Sequence, residues 1–505
     1  MRIRKFVLFG LLIVLGLSGC AGLRPPKMLD NDAVIRYETS NRAMRQFRNQ
    51  VDGMIADSSF RPAFFGVHIE DLQTGEVIYS RNAHKLLMPA SNMKLFTTSS
   101  ALTLLGADYR YRTEIYHNGT FVDSVLKGNL YIKGSGDPTI SGRYNGGKIT
   151  ERFEFWASAL KEAGLRKIEG CLIGDDNIFD DNGLGYSWAW DDLSYYYGAV
   201  TSGLSFNDNC MDLQIIPGKN VGDTAQIVIS PEPGYIRIVN ELITVPKDSA
   251  ASYDFYRTPN TENVRIFGTI SIDSDTVTDW VTVDNPTKFF LATFKSVLEK
   301  KGIEVNSVAD IDELPLQNPD YSKMTCLVVN DSPKMSDIVK TVNKVSQNFY
   351  AETLQKTLGV ELKHCGRSDS GIVAEEEWFR TIGIEPDGIF IVDGSGLSRH
   401  NLVTPVQTVA VLKAMKQGKN SKVFFDSLPV AGVDGTLDSR WKDSPAKGHI
   451  FAKTGYIGRV RALSGFVEAK NGKEYVFSII VNHYPTSTGK INDFQDKVTE
   501  MLYGL

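Results

Sequence analysis

Between residues 109 and 310 the chain breaks into short apolar runs, near 112–117, 129–133, 167–173, 211–216, 226–229, 236–243, 264–272 and 280–283, with turn residues between them. Helical spacing returns there only near 153–163 and 289–301. Short β-like segments at this density suit one or two small α+β units. The stretch therefore reads as an insertion, and the residues on either side of it must meet to complete another domain. At 505 residues the chain has room for about three domains of ~150 residues each.

The flanks have a different texture. A polar helical stretch covers about 30–56, and two apolar runs, 64–69 and 77–79, flank Asp71-Leu72-Gln73-Thr74-Gly75 as a hairpin. A loop at 81–89 then delivers the chain to a helix that opens at Ser91 and stops at Gly106. After the insertion come a short strand at 326–329, one or two helices over 334–358, a strand at 389–392, a turn at 393–396 and a helix at 405–416. Strands at 450–453, 462–468 and 475–481 and a helix at 490–502 close the chain. The expected fold class is multidomain α/β and α+β. An antiparallel sheet flanked by helices is built from 28–108 and 311–505 and interrupted by a β-rich insertion over 109–310.

The first residues carry an address. Arg2, Arg4 and Lys5 precede an apolar run from 6 to 17, too short to span a bilayer comfortably, as in a secretory signal. Leu17-Ser18-Gly19-Cys20 resembles a bacterial lipobox, which implies removal of 1–19, acylation of Cys20 and a tether over 21–27. The expected location is exported and lipid-anchored to a bacterial membrane, on the periplasmic face if the cell is Gram-negative. Export permits disulfides among Cys171, Cys210, Cys326 and Cys365, with three pairings open. No C-x-x-C and no H-E-x-x-H occurs, so no metal or other cofactor is expected. A formal charge of −5 without a basic stripe offers nothing to nucleic acid.

The chemistry lies in three short motifs. Ser91 and Lys94, at i and i+3, share a helical face, so a hydroxyl and an amine can come within hydrogen-bond reach. Ser91 also sits where the first N–H groups of a helix lack intrahelical partners, which favours a developing anion. Alone, this tetrad reads first as an ordinary helix cap beside a solvated lysine. Ser346-x-Asn348 in a helical segment and Lys453-Thr454-Gly455 on a strand change its meaning. The three motifs, in this order and in these elements, are those of penicillin-binding proteins and serine β-lactamases.

The long separation of Ser91 from Ser346 narrows the resemblance to the D-alanyl-D-alanine carboxypeptidase/endopeptidase family of the penicillin-binding protein 4 type, peptidase family S13. It is carried by Pro89-Ala90-Ser91-Asn92-Met93-Lys94, Asp137-Pro138-Thr139, Trp188-Ala189-Trp190-Asp191-Asp192, Asn343-Lys344 with Ser346, Asn348 and Tyr350-Ala351-Glu352, Asp393-Gly394-Ser395-Gly396-Leu397-Ser398-Arg399 and Lys453-Thr454-Gly455. The resemblance implies peptidoglycan stem peptides as substrate and β-lactams as covalent inhibitors. Ser91 is then the nucleophile and Lys94 its base, kept neutral by burial beside Lys453. Ser346 relays a proton to the leaving amine, Asn348 donates to the substrate amide, and Lys453 and Thr454 hold its terminal carboxylate. The N–H groups of Ser91 and Tyr456, beside Gly455, form the oxyanion hole. Asp192 and Tyr197 on the insertion, with Arg399, match a pocket for the third residue of the peptide. Gly458 stands where some relatives carry a larger polar residue. Lys344 is either a solvated helix charge or a residue near the site, and 393–396 either a tight turn or part of it. A β-lactamase is disfavoured by the lack of an E-x-x-L-N loop after Ser346, and a nucleophile-elbow esterase by the lack of G-x-S-x-G. A pure peptidoglycan binder has no need of all five polar motif residues.

Overall fold

The computed structural model describes residues 41–315 and 318–505. Its central sheet has five strands in the order Ile450–Ile457, Val460–Glu468, Glu474–Asn482, Phe64–Asp71, Val77–Arg81. Every neighbouring pair is antiparallel. Strand residues alternate between two cores, because successive side chains leave opposite faces of a sheet. Leu463, Phe477, Ile479 and Val481 pack with Phe47 and Val51 of helix Arg42–Ile55 and Phe494 and Val498 of helix Thr488–Tyr503. Ala462, Phe466, Val476 and Ile480 pack on the other face with Phe96, Leu102, Val409 and Leu412, from helices Met93–Leu104 and Pro405–Gln417. Helices on both faces explain why the inner strands read as continuous apolar runs.

Helix Met93–Leu104 is buried from Met93 through Leu102, polar Thr97, Thr98, Ser99 and Ser100 included. A helix enclosed on all sides holds its N-terminal turn at a fixed place.

The insertion leaves and re-enters at one point: the Ser332 N–H donates to the Tyr111 carbonyl (2.9 Å), and the Tyr111 N–H donates to Ser332 Oγ (3.0 Å). Between them lie a seven-stranded sheet, in which Lys167–Asp175 pairs in parallel with Leu130–Lys133 and Glu304–Asp310, and two three-stranded sheets. Helices Glu151–Glu162 and Pro286–Lys300 cover them, with Phe153, Trp156, Phe289, Phe290 and Phe294 at the centre of a separate core.

Several expectations need correction. Strand Thr325–Asp331 pairs with Arg112–His117, so the sheet of the insertion continues past residue 310. Residues 389–392 form no strand: Phe390 makes only a bridge to Leu402, and the N–H groups of Val392 and Asp393 donate to Asn401 Oδ1. Of the one or two helices expected over 334–358 the structure has two, as that reading allowed, Met335–Lys344 and Asn348–Lys363, with the break at Ser346 (φ 60°). Strands Thr120–Val122, Val125–Lys127, Tyr253–Arg257 and Glu304–Asp310 and helix Ser421–Ser427 were not expected. Cys171, Cys210, Cys326 and Cys365 are free thiols. The signal segment, Cys20 and the tether lie outside the described residues. Among the described residues no helix is long and apolar enough to cross a membrane.

Candidate active site

The turn Ala90–Asn92 leads into helix Met93–Leu104 and presents Ser91 to a cleft of about 640 Å³. Two contacts hold that turn against the sheet: Asn92 Nδ2 donates to the Lys453 carbonyl of the edge strand Ile450–Ile457 (2.8 Å), and Ser464 Oγ, on the neighbouring strand Val460–Glu468, donates to Asn92 Oδ1 (2.6 Å). Gly455 permits the approach, since a Cβ there would lie 2.7 Å from the Pro89 carbonyl oxygen.

Lys94 is fully buried, and its Nζ lies 3.1 Å from Ser91 Oγ, 2.5 Å from Asn348 Oδ1 and 2.7 Å from the Ser395 carbonyl oxygen. Amide and carbonyl oxygens only accept, so a neutral amine gives both its hydrogens to Asn348 and Ser395. Its lone pair then faces the Ser91 hydroxyl. Burial pushes Lys94 down to about 7, against the pull of the Glu352 and Asp393 carboxylates. The expectation that Lys453 would depress Lys94 needs adjusting. Lys453, also fully buried, is itself pushed well below its usual value, first by burial and then by Lys94. Its Nζ donates to Ser346 Oγ (2.8 Å) and to the Thr454 carbonyl (2.9 Å).

Ser346 reaches Lys453 because the chain turns through a left-handed residue between two helices. Asn348, the first residue of the second helix, sends Nδ2 to the Tyr197 carbonyl of the insertion (2.8 Å). Thr454 Oγ1 shares a 2.8 Å hydrogen bond with Thr436 Oγ1. All three motifs thus meet around one cleft, which Ser91, Ser346, Asn348, Thr454 and Tyr456 line.

Asp192, Tyr197 and Arg399 line the same cleft. Tyr197 Oη donates to Asp192 Oδ1 (3.1 Å), and burial raises the Asp192 carboxyl while Tyr197 and Arg399 oppose the rise. Arg399 Nη1 donates to the Gly458 carbonyl (3.0 Å), and a Cβ on Gly458 would lie 3.0 Å from Arg399 Nη2. The small residue at 458 leaves room for that guanidinium.

Other residues matter more than the sequence suggested. The Asp393–Gly396 turn is a buried knot beneath Lys94. Glu352 accepts from the N–H groups of Gly394 (3.1 Å) and Ser395 (2.8 Å). Asp393 accepts from the N–H groups of Gly396 (2.8 Å) and Ser398 (2.6 Å), from Asn401 Nδ2 (2.7 Å) and from Trp188 Nε1 of the insertion (3.0 Å). Burial pushes Glu352 up to about 7, and Asp393 adds to the rise. Lys344 neither lies in solvent nor lines the cleft: its Nζ donates to the Leu428 carbonyl (2.6 Å) and to both oxygens of Asp434 (2.7 and 2.6 Å). It pins the loop that carries Thr436. The sequence signal for these roles is Glu352 together with the Asp393-Gly394-Ser395-Gly396 run, whose burial only the fold discloses.

Comparison with known proteins matches residues 47–503 to the D-Ala-D-Ala carboxypeptidase 3 (S13) family. The chain is 32% identical over 456 residues to a D-alanyl-D-alanine carboxypeptidase of Actinomadura sp. (strain R39), covering 88% of this chain and 82% of that one. It is 28% identical over 449 residues to penicillin-sensitive carboxypeptidase A of Dictyostelium discoideum, covering 84% and 83%. The crystal structure of penicillin binding protein 4 (dacB) from Haemophilus influenzae superposes with a TM-score of 0.78 at 25% identity, over 90% of this chain and 99% of that one.

Proposed function

The chain belongs to the D-Ala-D-Ala carboxypeptidase 3 (S13) family, and from that premise and the cleft geometry we infer a serine-type D-Ala-D-Ala carboxypeptidase and/or DD-endopeptidase acting on peptidoglycan. The observation that carries the mechanism is the buried amine of Lys94, 3.1 Å from Ser91 Oγ with its other two neighbours acceptors only.

Ser91 Oγ attacks the penultimate D-alanine carbonyl while its proton passes to Lys94 Nζ. The negative charge that develops on the carbonyl oxygen is met by the N–H groups of Ser91 and Tyr456. As the C–N bond breaks, the leaving amine takes a proton through Ser346, which Lys453 holds at 2.8 Å. Water then hydrolyses the acyl-enzyme and regenerates Ser91. The substrate's terminal carboxylate lies against Thr454, backed by Thr436, and Lys453 gains a counter-charge from it. Asn348 orients the peptide amide. Asp192 and Tyr197, with Arg399, take the third residue, a carboxylate there pairing with a free amine. A β-lactam carbonyl enters as the D-alanine carbonyl does and leaves Ser91 acylated.

The catalytic domain in this reading comprises 28–108 and the chain after the insertion, which starts at 109 and whose sheet reaches Asp331. The first 20 residues support export and a lipid on Cys20, which would hold the enzyme at a bacterial membrane, on the periplasmic face in a Gram-negative cell. The test is release of D-alanine from a muropeptide ending in D-Ala-D-Ala: expected from the wild type, absent from Ser91→Ala. A wild type that releases none overturns the assignment. Cys20→Ser is expected to move the protein from the membrane to the soluble fraction.

A further inference from the structure

We propose that the exposed aromatic strip leading outward from the cleft, Tyr196 and Trp280, binds the glycan strand to which the stem peptide is attached. The proposal rests on the peptidase reading above.

Rings follow one another from the pocket to the surface. Tyr197, hydrogen-bonded to Asp192, has its ring centroid 5.6 Å from that of Tyr196, which lies 6.0 Å from Trp280. The rings stand open to water: Tyr196, on the cleft wall, is 48% exposed, Trp280 43% and Trp190 68%. Trp190 stands on the turn Trp190–Asp192 that carries Asp192 and packs edge-on against Tyr256. Trp280 faces outward by strand geometry, since its neighbour Val281 is fully buried. Indole and phenol rings left in water beside a cleft mark a surface that another molecule covers.

The occupant follows from the direction of the substrate. With the D-alanine carbonyl at Ser91 and the third residue at Asp192, two residues and a lactyl ether separate that third residue from the sugar. They span roughly 10 Å when extended. The two ring-to-ring steps beyond Tyr197 cover a similar distance. The strip is thus continuous with the peptide cleft, at about the distance from the third-residue pocket that the sugar must reach. Its surroundings are acidic: burial first and then Asp279 raise the Tyr196 hydroxyl, and Asp254 accepts from Tyr195 Oη (2.7 Å). Acidic neighbours repel an anionic lipid surface but not an N-acetylated sugar, whose ring offers C–H groups to an aromatic face.

Two measurements test it. The wild type is compared on a free pentapeptide and on the same peptide joined to its disaccharide. The disaccharide form is expected to show a kcat/KM about three- to tenfold higher, through KM. Trp280→Ala is expected to erase that difference and Trp280→Phe to keep most of it. Labelling by penicillin reports that each variant is folded. Separately, Ser91→Ala protein is titrated with chitotetraose, which carries no peptide. A saturable change in tryptophan fluorescence that disappears on adding Trp280→Ala supports the strip. Equal kcat/KM on the two substrates, a preference that survives Trp280→Ala, or self-association through these rings without an oligosaccharide response overturns it. Failure to cleave either substrate would refute the peptidase reading, while the titration would still decide the strip.

Discussion

At the scale of single residues, the site turns on the proton of Lys94. Its value of about 7 lies below the ordinary 10.5, so the amine protonates as pH falls through about 7 and can no longer accept from Ser91. Acylation by a penicillin should therefore rise with pH through that point, measured as the pH profile of the acylation rate. Lys94→Arg keeps a cation at every accessible pH and is expected to slow acylation by about 10²–10⁴-fold. The Glu352 carboxylate draws the Lys94 value upward, so Glu352→Gln should move the rising limb to lower pH, its amide oxygen keeping one of the two N–H groups that the carboxylate accepts from, Gly394 or Ser395. An unmoved limb would leave Glu352 a purely structural role. The polar residues of the three motifs were legible in the sequence because their chemistry demands those side chains. The roles of Glu352 and Asp393 were not legible, because a carboxylate's influence on a lysine depends on burial that only packing creates.

Elements set the distances. The helix carrying Ser91 touches the 393–396 knot so closely that a Cβ on Gly396, at φ +84°, would lie 1.9 Å from the Ala90 carbonyl oxygen. Gly396→Ala is expected to displace that turn, with about 1–3 kcal/mol of stability lost and slower acylation, read from thermal unfolding and penicillin labelling. Lys344→Met would leave Asp434 and the Leu428 carbonyl without their shared donor. A loss of about 1–3 kcal/mol and a raised KM follow if the 428–436 loop positions Thr454 through Thr436. A changed stability with an unchanged KM would confine Lys344 to folding. Hairpin, helices and closing strands were readable from apolar spacing. The break at Ser346 was not, because a serine with positive φ leaves no mark in sequence and is held by tertiary contacts. Residues 389–392 have a strand's composition, yet their N–H groups are taken singly, Ile389's by the Pro386 carbonyl, Phe390's by the Leu402 carbonyl and Val392's by Asn401 Oδ1.

Across the whole molecule, the insertion and the catalytic domain complete one cleft. The insertion supplies the Tyr197 carbonyl to Asn348, the Trp188 indole to Asp393, and Asp192 to the cleft wall. Its existence was legible from the change of texture, but its far boundary was not, because Thr325–Asp331 looks like any short strand until it pairs with Arg112–His117. Substrate choice should reside in it: Asp192→Ala is expected to lower kcat/KM tenfold or more on a stem peptide with a free amine at its third residue. Acylation by benzylpenicillin, which lacks that amine, should stay within about twofold. Equal losses on both would remove the pocket from recognition. The most direct test of the central claim is intact-protein mass spectrometry after exposure to benzylpenicillin, followed by peptide mapping. The account predicts one adduct carrying the whole mass of the drug, located on Ser91 and absent from Ser91→Ala. An adduct on another residue, one retained by Ser91→Ala, or none at all would contradict it.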